Sequence, residues 1–160
     1  MIKAGIIGGA GYTAGELTRL LICHPEVELK WISSTSNAGN RVDSVHKGLI
    51  GETDLVFVAD TPLSEIDVLF LCTPHGFSKP FLEEHKGEIP ESLRIIDLAQ
   101  DFRIADGAHD FVYGLPELNR ERITTATKHI ANPGCFATAI QLALLPLAKN
   151  GWLNADVHIH

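Results

Sequence analysis

Ile2-Lys3-Ala4-Gly5-Ile6-Ile7-Gly8-Gly9-Ala10-Gly11-Tyr12-Thr13-Ala14 lies at the very start of the chain, and its reading decides the fold. Ile2 to Ile7 is a short apolar run suited to a buried strand. Gly8 to Ala14 fits G-x-x-G-x-x-A directly after that strand and opens a helix over about Ala14 to Cys23, which Pro25 closes. The small residues have separate tasks: Gly8 permits the tight turn, Gly11 lets the backbone approach a pyrophosphate, and Ala14 lets the helix lie close on the strand. The helix N-terminus offers amides and a partial positive charge to phosphate groups. Gly8, Gly11, Tyr12, Thr13 and Ala14 are therefore candidates for holding a dinucleotide. The plainer alternative is a glycine-rich turn in a sheet protein.

Outward from this unit, short apolar runs alternate with helical stretches, the pattern of βαβ units and a parallel sheet. Further strands are predicted over Val27–Ser33, Leu55–Ala59, Val68–Leu71 and Arg94–Leu98, with a short amphipathic helix over Phe77–His85. Ser34 to Gly51 is polar and glycine-rich and reads as a loop. The final helix runs over about Cys135–Lys149, kinked or ended by Pro146. The expected fold is α/β, a Rossmann-type, mostly parallel sheet with helices on both faces. Residues 1–152 form the dinucleotide-binding domain in this reading. Asp156-Val157-His158-Ile159-His160 begins an alternating strand, so residues 153–160 are read as the first strand of a cut-off α+β domain for substrate binding and dimerisation.

With 160 residues, 45% hydrophobic and 21% charged, the composition is that of a globular domain with a real core. A net charge of −7 argues against general nucleic-acid binding. Leu142 to Leu147 is far too short to cross a bilayer, and no signal peptide is evident, so neither a membrane nor a nucleic-acid partner is expected. Cys23, Cys72 and Cys135 show no paired spacing, so neither a disulfide framework nor a metal site is indicated. The expected setting is the cytoplasm.

The end of the second strand bears on the cofactor. NAD sites usually carry an acid there for the ribose 2′-hydroxyl. Here the segment reads Trp31-Ile32-Ser33-Ser34-Thr35-Ser36, with Arg41 shortly after and no acid in reach. Hydroxyls and a guanidinium suit a 2′-phosphate, which favours NADP(H) and makes Ser34, Ser36 and Arg41 candidates; a solvated Ser/Thr loop is the bland alternative. Pro74 and His75, just after a strand, are read as shaping the cofactor crevice.

Asn132-Pro133-Gly134-Cys135 places one cysteine at the start of an apolar helix. Helix N-termini favour a thiolate and supply amides that can act as an oxyanion hole. Cys135 is the candidate nucleophile, whereas Cys23 and Cys72 read as small buried hydrophobes. A reactive thiol beside a nicotinamide site points to attack on an activated acyl group, a thioester, and hydride transfer giving an aldehyde. Arg103 in Asp101-Phe102-Arg103 is either a clamp for a substrate carboxylate or phosphate or an internal partner of Asp97 or Asp101. Asn132 is a second substrate-binding candidate.

Together, Gly8 to Leu17, Pro74-His75-Gly76, Asp97 to Arg103, Tyr113-Gly114-Leu115-Pro116-Glu117 and Asn132 to Cys135 resemble the N-acetyl-gamma-glutamyl-phosphate reductase family of arginine biosynthesis, within the group that includes aspartate-semialdehyde dehydrogenase. The resemblance implies that Cys135 is the catalytic cysteine and that the first turn holds NADP. It also implies an acyl-phosphate substrate, an acid histidine in a second domain after residue 160, and a homo-oligomer at full length. The 160 residues alone are then expected to bind NADP(H) without turning over substrate. Phe136 and Ala137 stand where the family commonly has Tyr and Pro, and the identity of the N-acyl group stays open. The rival readings are an aspartate-semialdehyde type of dehydrogenase and a non-catalytic NADP-binding module.

Overall fold

The computed structural model describes residues 1–159. Seven strands form one sheet: β1 (Ile2–Ile7), β2 (Val27–Ser33), β3 (Phe57–Val58), β4 (Val68–Leu71), β5 (Arg94–Asp97), β6 (Val112–Tyr113) and β7 (His129–Ala131). Their order is β3-β2-β1-β4-β5-β7-β6, and every ladder is parallel. The chain therefore leaves β1 toward one side of the sheet for β2 and β3, then returns past it to β4. The crevice at the strand ends between β1 and β4 is the switch point at which such sheets bind ligands.

The pleat sorts side chains onto two faces. Ala4, Ile6 and Ile32 pack on one face with Ala14 and Leu21 of α1 (Tyr12–Ile22), Val42 of α2 (Val42–Val45), and with Leu49 and Phe57. Ile7, Trp31, Leu69, Leu71 and Ile95 pack on the other with Phe81 of α3 (Ser78–Glu84). The central strands are apolar on both sides because helices cover both, as parallel sheets require.

The helix expected from Ala14 begins two residues earlier, at Tyr12. The strand expected over Leu55–Ala59 is only Phe57–Val58, since only Ile32 and Ser33 of β2 pair with it. Neither β6 nor β7 was anticipated. Both are very short and depend on partners distant in sequence, β7 on β5 and β6 on β7. A four-residue helix, α4 (Pro116–Asn119), starts with proline at its first position, where the missing N–H costs nothing.

The last helix, α5 (Cys135–Lys149), has the expected bounds and keeps Pro146 inside them. None of its residues is buried, and Phe136, Leu142 and Leu147 are exposed. Asp156 to Ile159 make no ladder among the described residues; Val157 and Ile159 stay exposed, and His160 lies outside the described residues. Among the described residues no helix is long and apolar enough to cross a membrane.

Leu69, fully buried at the centre of β4, tests this packing. Leu69→Ala should lower unfolding free energy by about 2–5 kcal/mol, the usual range for a core leucine whose site cannot collapse. Urea denaturation followed by far-UV circular dichroism would show the loss as a lower midpoint at unchanged slope.

Candidate active site

The glycine turn sits where the ends of three strands meet. Its geometry follows from what surrounds it: the Gly9 amide donates to the Ser33 carbonyl at 2.8 Å, and the Cys72 amide donates to the Ile7 carbonyl at 2.9 Å. Gly8 takes φ +82°, a left-handed conformation, and a Cβ there would run into the Cys72 carbonyl. A Cβ on Gly9 would strike Ile32. The turn is thus pressed between β2 and β4 with no space for side chains. α1 starts with Gly11 as an extended N-cap that makes no side-chain capping bond. The amides of the first helical turn are left for a ligand.

A crevice of about 520 Å³ opens at this point, lined by Gly8, Gly11, Ser34, Ser36, Thr73 and Pro74 among others. Asn37, which sequence reasoning passed over, donates from its amide to Ser36 Oγ at 3.0 Å and to Ser34 Oγ at 3.4 Å. With the oxygens accepting from Asn37, both hydroxyl hydrogens are free to donate, the polarity an anionic phosphate needs. A Cβ-excluding turn, uncapped helix amides and two hydroxyl donors fit a phosphorylated dinucleotide.

Five expected members of this set do not line the crevice: Tyr12, Thr13, Ala14, Arg41 and His75. The Arg41 guanidinium bonds Asp43 at 2.6 Å, Asp54 at 2.9 Å and the Thr53 carbonyl at 3.2 Å. The hydrogen bond with Asp43 leads in raising the Arg41 pKa above its ordinary value and in lowering that of Asp43 below the usual carboxylate range. Tyr12, 86% exposed, lines a separate cleft on the outer side of α1 with Gly15 and His46. Ala14 is fully buried in the α1–sheet contact, as its size requires.

His46 is a supporting residue that nothing in the sequence pattern marked. Its Nε2–H donates to the Gly9 carbonyl at 2.7 Å, which fixes the tautomer and anchors the turn from outside. The imidazole reaches that point only because residue 15 of α1 is glycine; a Cβ at Gly15 would collide with the ring.

Cys135 is the first residue of α5, exposed, in a cleft of about 920 Å³ that also takes in Thr13, His75, Arg103, Asn132 and Glu117. α5 repeats the arrangement of α1: Gly134 is an extended N-cap without a side-chain capping bond. Thr13 and His75 border this cleft, whereas Pro74 lines the dinucleotide crevice, so the two depressions adjoin along the turn after β4. His75 accepts from the Gln100 amide on Nδ1 at 3.2 Å, which makes it the Nε2–H tautomer. Glu117 lies in the first turn of α4.

Arg103 pairs with neither Asp97 nor Asp101. Its Nε donates to the Asn132 carbonyl at 2.9 Å and one terminal nitrogen, Nη2, to the Leu98 carbonyl at 2.8 Å. The other terminal nitrogen would sit 2.9 Å from a Cβ on Gly134, so glycine there admits the guanidinium against the cysteine turn. Arg103 therefore ties the loop after β5 to the Asn-Pro-Gly-Cys turn and still presents N–H groups to the cleft. Asp101, in turn, accepts from the Gly76 amide at 2.8 Å and the Lys79 amide at 3.3 Å, capping α3. Asn132 places its amide nitrogen on the Pro133 carbonyl at 3.0 Å.

Cys72 differs from Cys135. Burial, with a smaller contribution from the charge of Asp97, pushes its thiol up to about 12. A thiol with a raised pKa stays protonated below that pH. Iodoacetamide at pH 8 should therefore modify Cys135 and the exposed Cys23 while sparing Cys72 in the native protein. Peptide mass spectrometry would read the three sites separately, and Cys72 labelling on the same timescale would contradict this geometry.

Residues 3–126 match the family described as Semialdehyde dehydrogenase, NAD binding domain. N-acetyl-gamma-glutamyl-phosphate reductase of Bacteroides fragilis is 66% identical over 160 residues, all of this chain and 49% of that protein. The protein of the same name from Phocaeicola vulgatus is 64% identical over the same span and share. The chain thus spans about half the length of the curated relatives it matches. Among solved structures, aspartate semialdehyde dehydrogenase from Francisella tularensis aligns with a TM-score of 0.69 at 22% identity, covering 94% of this chain and 42% of that one. At that identity the likeness speaks for the fold.

Proposed function

Because the chain belongs to the semialdehyde dehydrogenase NAD-binding-domain family, we propose that it is the cofactor-binding, nucleophile-bearing half of an N-acetyl-gamma-glutamyl-phosphate reductase. The reaction is NADPH-dependent reduction of N-acetyl-gamma-glutamyl phosphate to the semialdehyde and phosphate, in arginine biosynthesis in the cytoplasm. The observation that carries this reading is 66% identity across the whole chain to a protein of that name. Residues 1–152 are the dinucleotide-binding domain, and 153–160 begin the substrate domain. The exposed apolar residues of α5 are a surface for that domain and for homo-oligomer contacts.

In this proposal Gly8, Gly11 and the amides of Tyr12 and Thr13 hold the pyrophosphate, and Ala14 serves by letting α1 lie close on the sheet. Ser34 and Ser36 donate to the 2′-phosphate, and Arg41, held by Asp43 and Asp54, takes no part in it. Pro74 and His75 close the side of the crevice nearest the cleft. When bound, the cofactor supplies the hydride that turns the thioester into the aldehyde. The chain's own residues do the rest. The Cys135 thiolate attacks the acyl carbon, the carbon–oxygen bond to phosphate breaks, and phosphate leaves with the electron pair. Uncapped amides at the start of α5 face the developing oxyanion. Arg103 and Asn132 orient the substrate, with Arg103 also holding the turn that aims the sulfur. The proton donor is a histidine from beyond residue 160.

Two outcomes test the proposal. Fluorescence titration should show NADPH binding more tightly than NADH; equal affinities would remove the role given to Ser34 and Ser36. In the full-length enzyme, Cys135→Ser should abolish acyl-phosphate reduction and leave NADPH affinity unchanged, because a hydroxyl without an adjacent base is a far poorer nucleophile. Near-wild-type turnover in that variant would reject the thioester route.

A further inference from the structure

A line of three side chains runs from a buried carboxylate to the edge of the dinucleotide crevice. Asp97, at the end of β5, is fully buried, and its Oδ1 accepts from the Ser78 hydroxyl at 2.6 Å and the Ala99 amide at 3.1 Å. Ser78 is also fully buried, and its oxygen lies 2.9 Å from Thr73 Oγ1. Thr73 lines the crevice.

The direction of every hydrogen in this line follows from counting donors. A serine hydroxyl has one hydrogen, and that of Ser78 goes to Asp97. Ser78 must therefore accept from Thr73, which uses the only hydroxyl hydrogen of Thr73. Asp97 Oδ2 is buried without a hydrogen-bond partner among the described residues. As a carboxylate Asp97 can only accept, on Oδ1 from the Ser78 hydroxyl and the Ala99 amide, and this sets the direction of the line.

We infer that Thr73, oriented by Asp97 through Ser78, is a cofactor-recognition residue that presents only lone pairs to the crevice and accepts a hydrogen bond from the nicotinamide half of the dinucleotide. The inference rests on the dinucleotide reading above. It assigns that half because Thr73 follows β4, across the glycine turn from Ser34 and Ser36 at the end of β2, where the adenosine ribose belongs. The two donors available there are a ribose hydroxyl and the carboxamide N–H. Asp97 and Ser78 are positioning residues: they touch no ligand but keep the Thr73 hydrogen out of the crevice.

The experiment is isothermal titration of the purified protein with NADPH and with 2′-phospho-ADP-ribose, which keeps the second ribose and lacks nicotinamide. Thr73→Val is isosteric and removes the acceptor; it should raise the NADPH Kd about 3- to 10-fold, the worth of one neutral hydrogen bond. Thr73→Ser should restore affinity to within about twofold of wild type, a rescue that a loss of packing would not show. Ser78→Ala releases the Thr73 hydrogen and should weaken binding in the same direction while residue 73 stays intact. A loss with both ligands identifies the ribose hydroxyl as donor, and a loss with NADPH alone identifies the carboxamide. Melting curves without ligand report folding separately. Unchanged affinity in a folded Thr73→Val protein overturns the inference. Failure of the wild type to bind either ligand overturns the dinucleotide reading beneath it.

Discussion

Contact between the glycine turn and the strands on either side of it sets the geometry of the whole ligand-facing edge. Gly8 and Gly9 lie against the Cys72 carbonyl and Ile32 without space for a Cβ, and the Gly9 amide bonds to Ser33. The ends of β2, β1 and β4 are thereby held in fixed relation, which sets the loops that follow them. Those loops carry Ser34 and Ser36 on one side and Thr73, Pro74 and His75 on the other. Burying hydrocarbon on both faces of the sheet stabilises the fold as a whole. The close backbone approach decides where its edge can bind.

The two helices that begin at this edge share a design. α1 starts after Gly11 and α5 after Gly134, both glycines extended, and neither helix start is capped by a side chain. Ser, Thr, Asp or Asn at those positions would stabilise a helix by about 0.5–2 kcal/mol relative to alanine. Glycine leaves the amides without an internal partner. In the proposed function one helix directs them at a dinucleotide phosphate and the other at the oxygen of an acyl group on Cys135. The same local device, used twice on one sheet, sets the glycine turn and Cys135 in adjoining depressions.

Much of this was legible from sequence because it is local. The run from Ile2 to Ala14 contains its own strand, turn and helix start, and Asn-Pro-Gly-Cys its own turn and helix start, so the strand and the last helix appeared where expected and the first helix within two residues of it. The rest depends on contacts across the sheet. β7 is three residues that form a strand only beside β5, and β6 only beside β7. Arg103 read equally as a substrate clamp or as a partner for Asp97 or Asp101, and folding aims its fork at the carbonyls of Leu98 and Asn132. Arg41 looked free to meet a phosphate until Asp43 and Asp54 closed on it. Asn37 did leave a signal, an amide directly after Ser34-Thr35-Ser36, whereas His46 left none.

His46 and Gly15 illustrate how such hidden support constrains descent. Glycine inside a helix costs roughly 1 kcal/mol against alanine, yet here it opens the space through which the imidazole reaches the Gly9 carbonyl. Replacing Gly15 alone drives the ring out; replacing His46 alone leaves a gap and a carbonyl without its donor. The two positions, well separated along the chain, act as one structural unit. Lineages of this domain should carry the pair intact or lose both members together, and a chimera joined between them inherits half a lock.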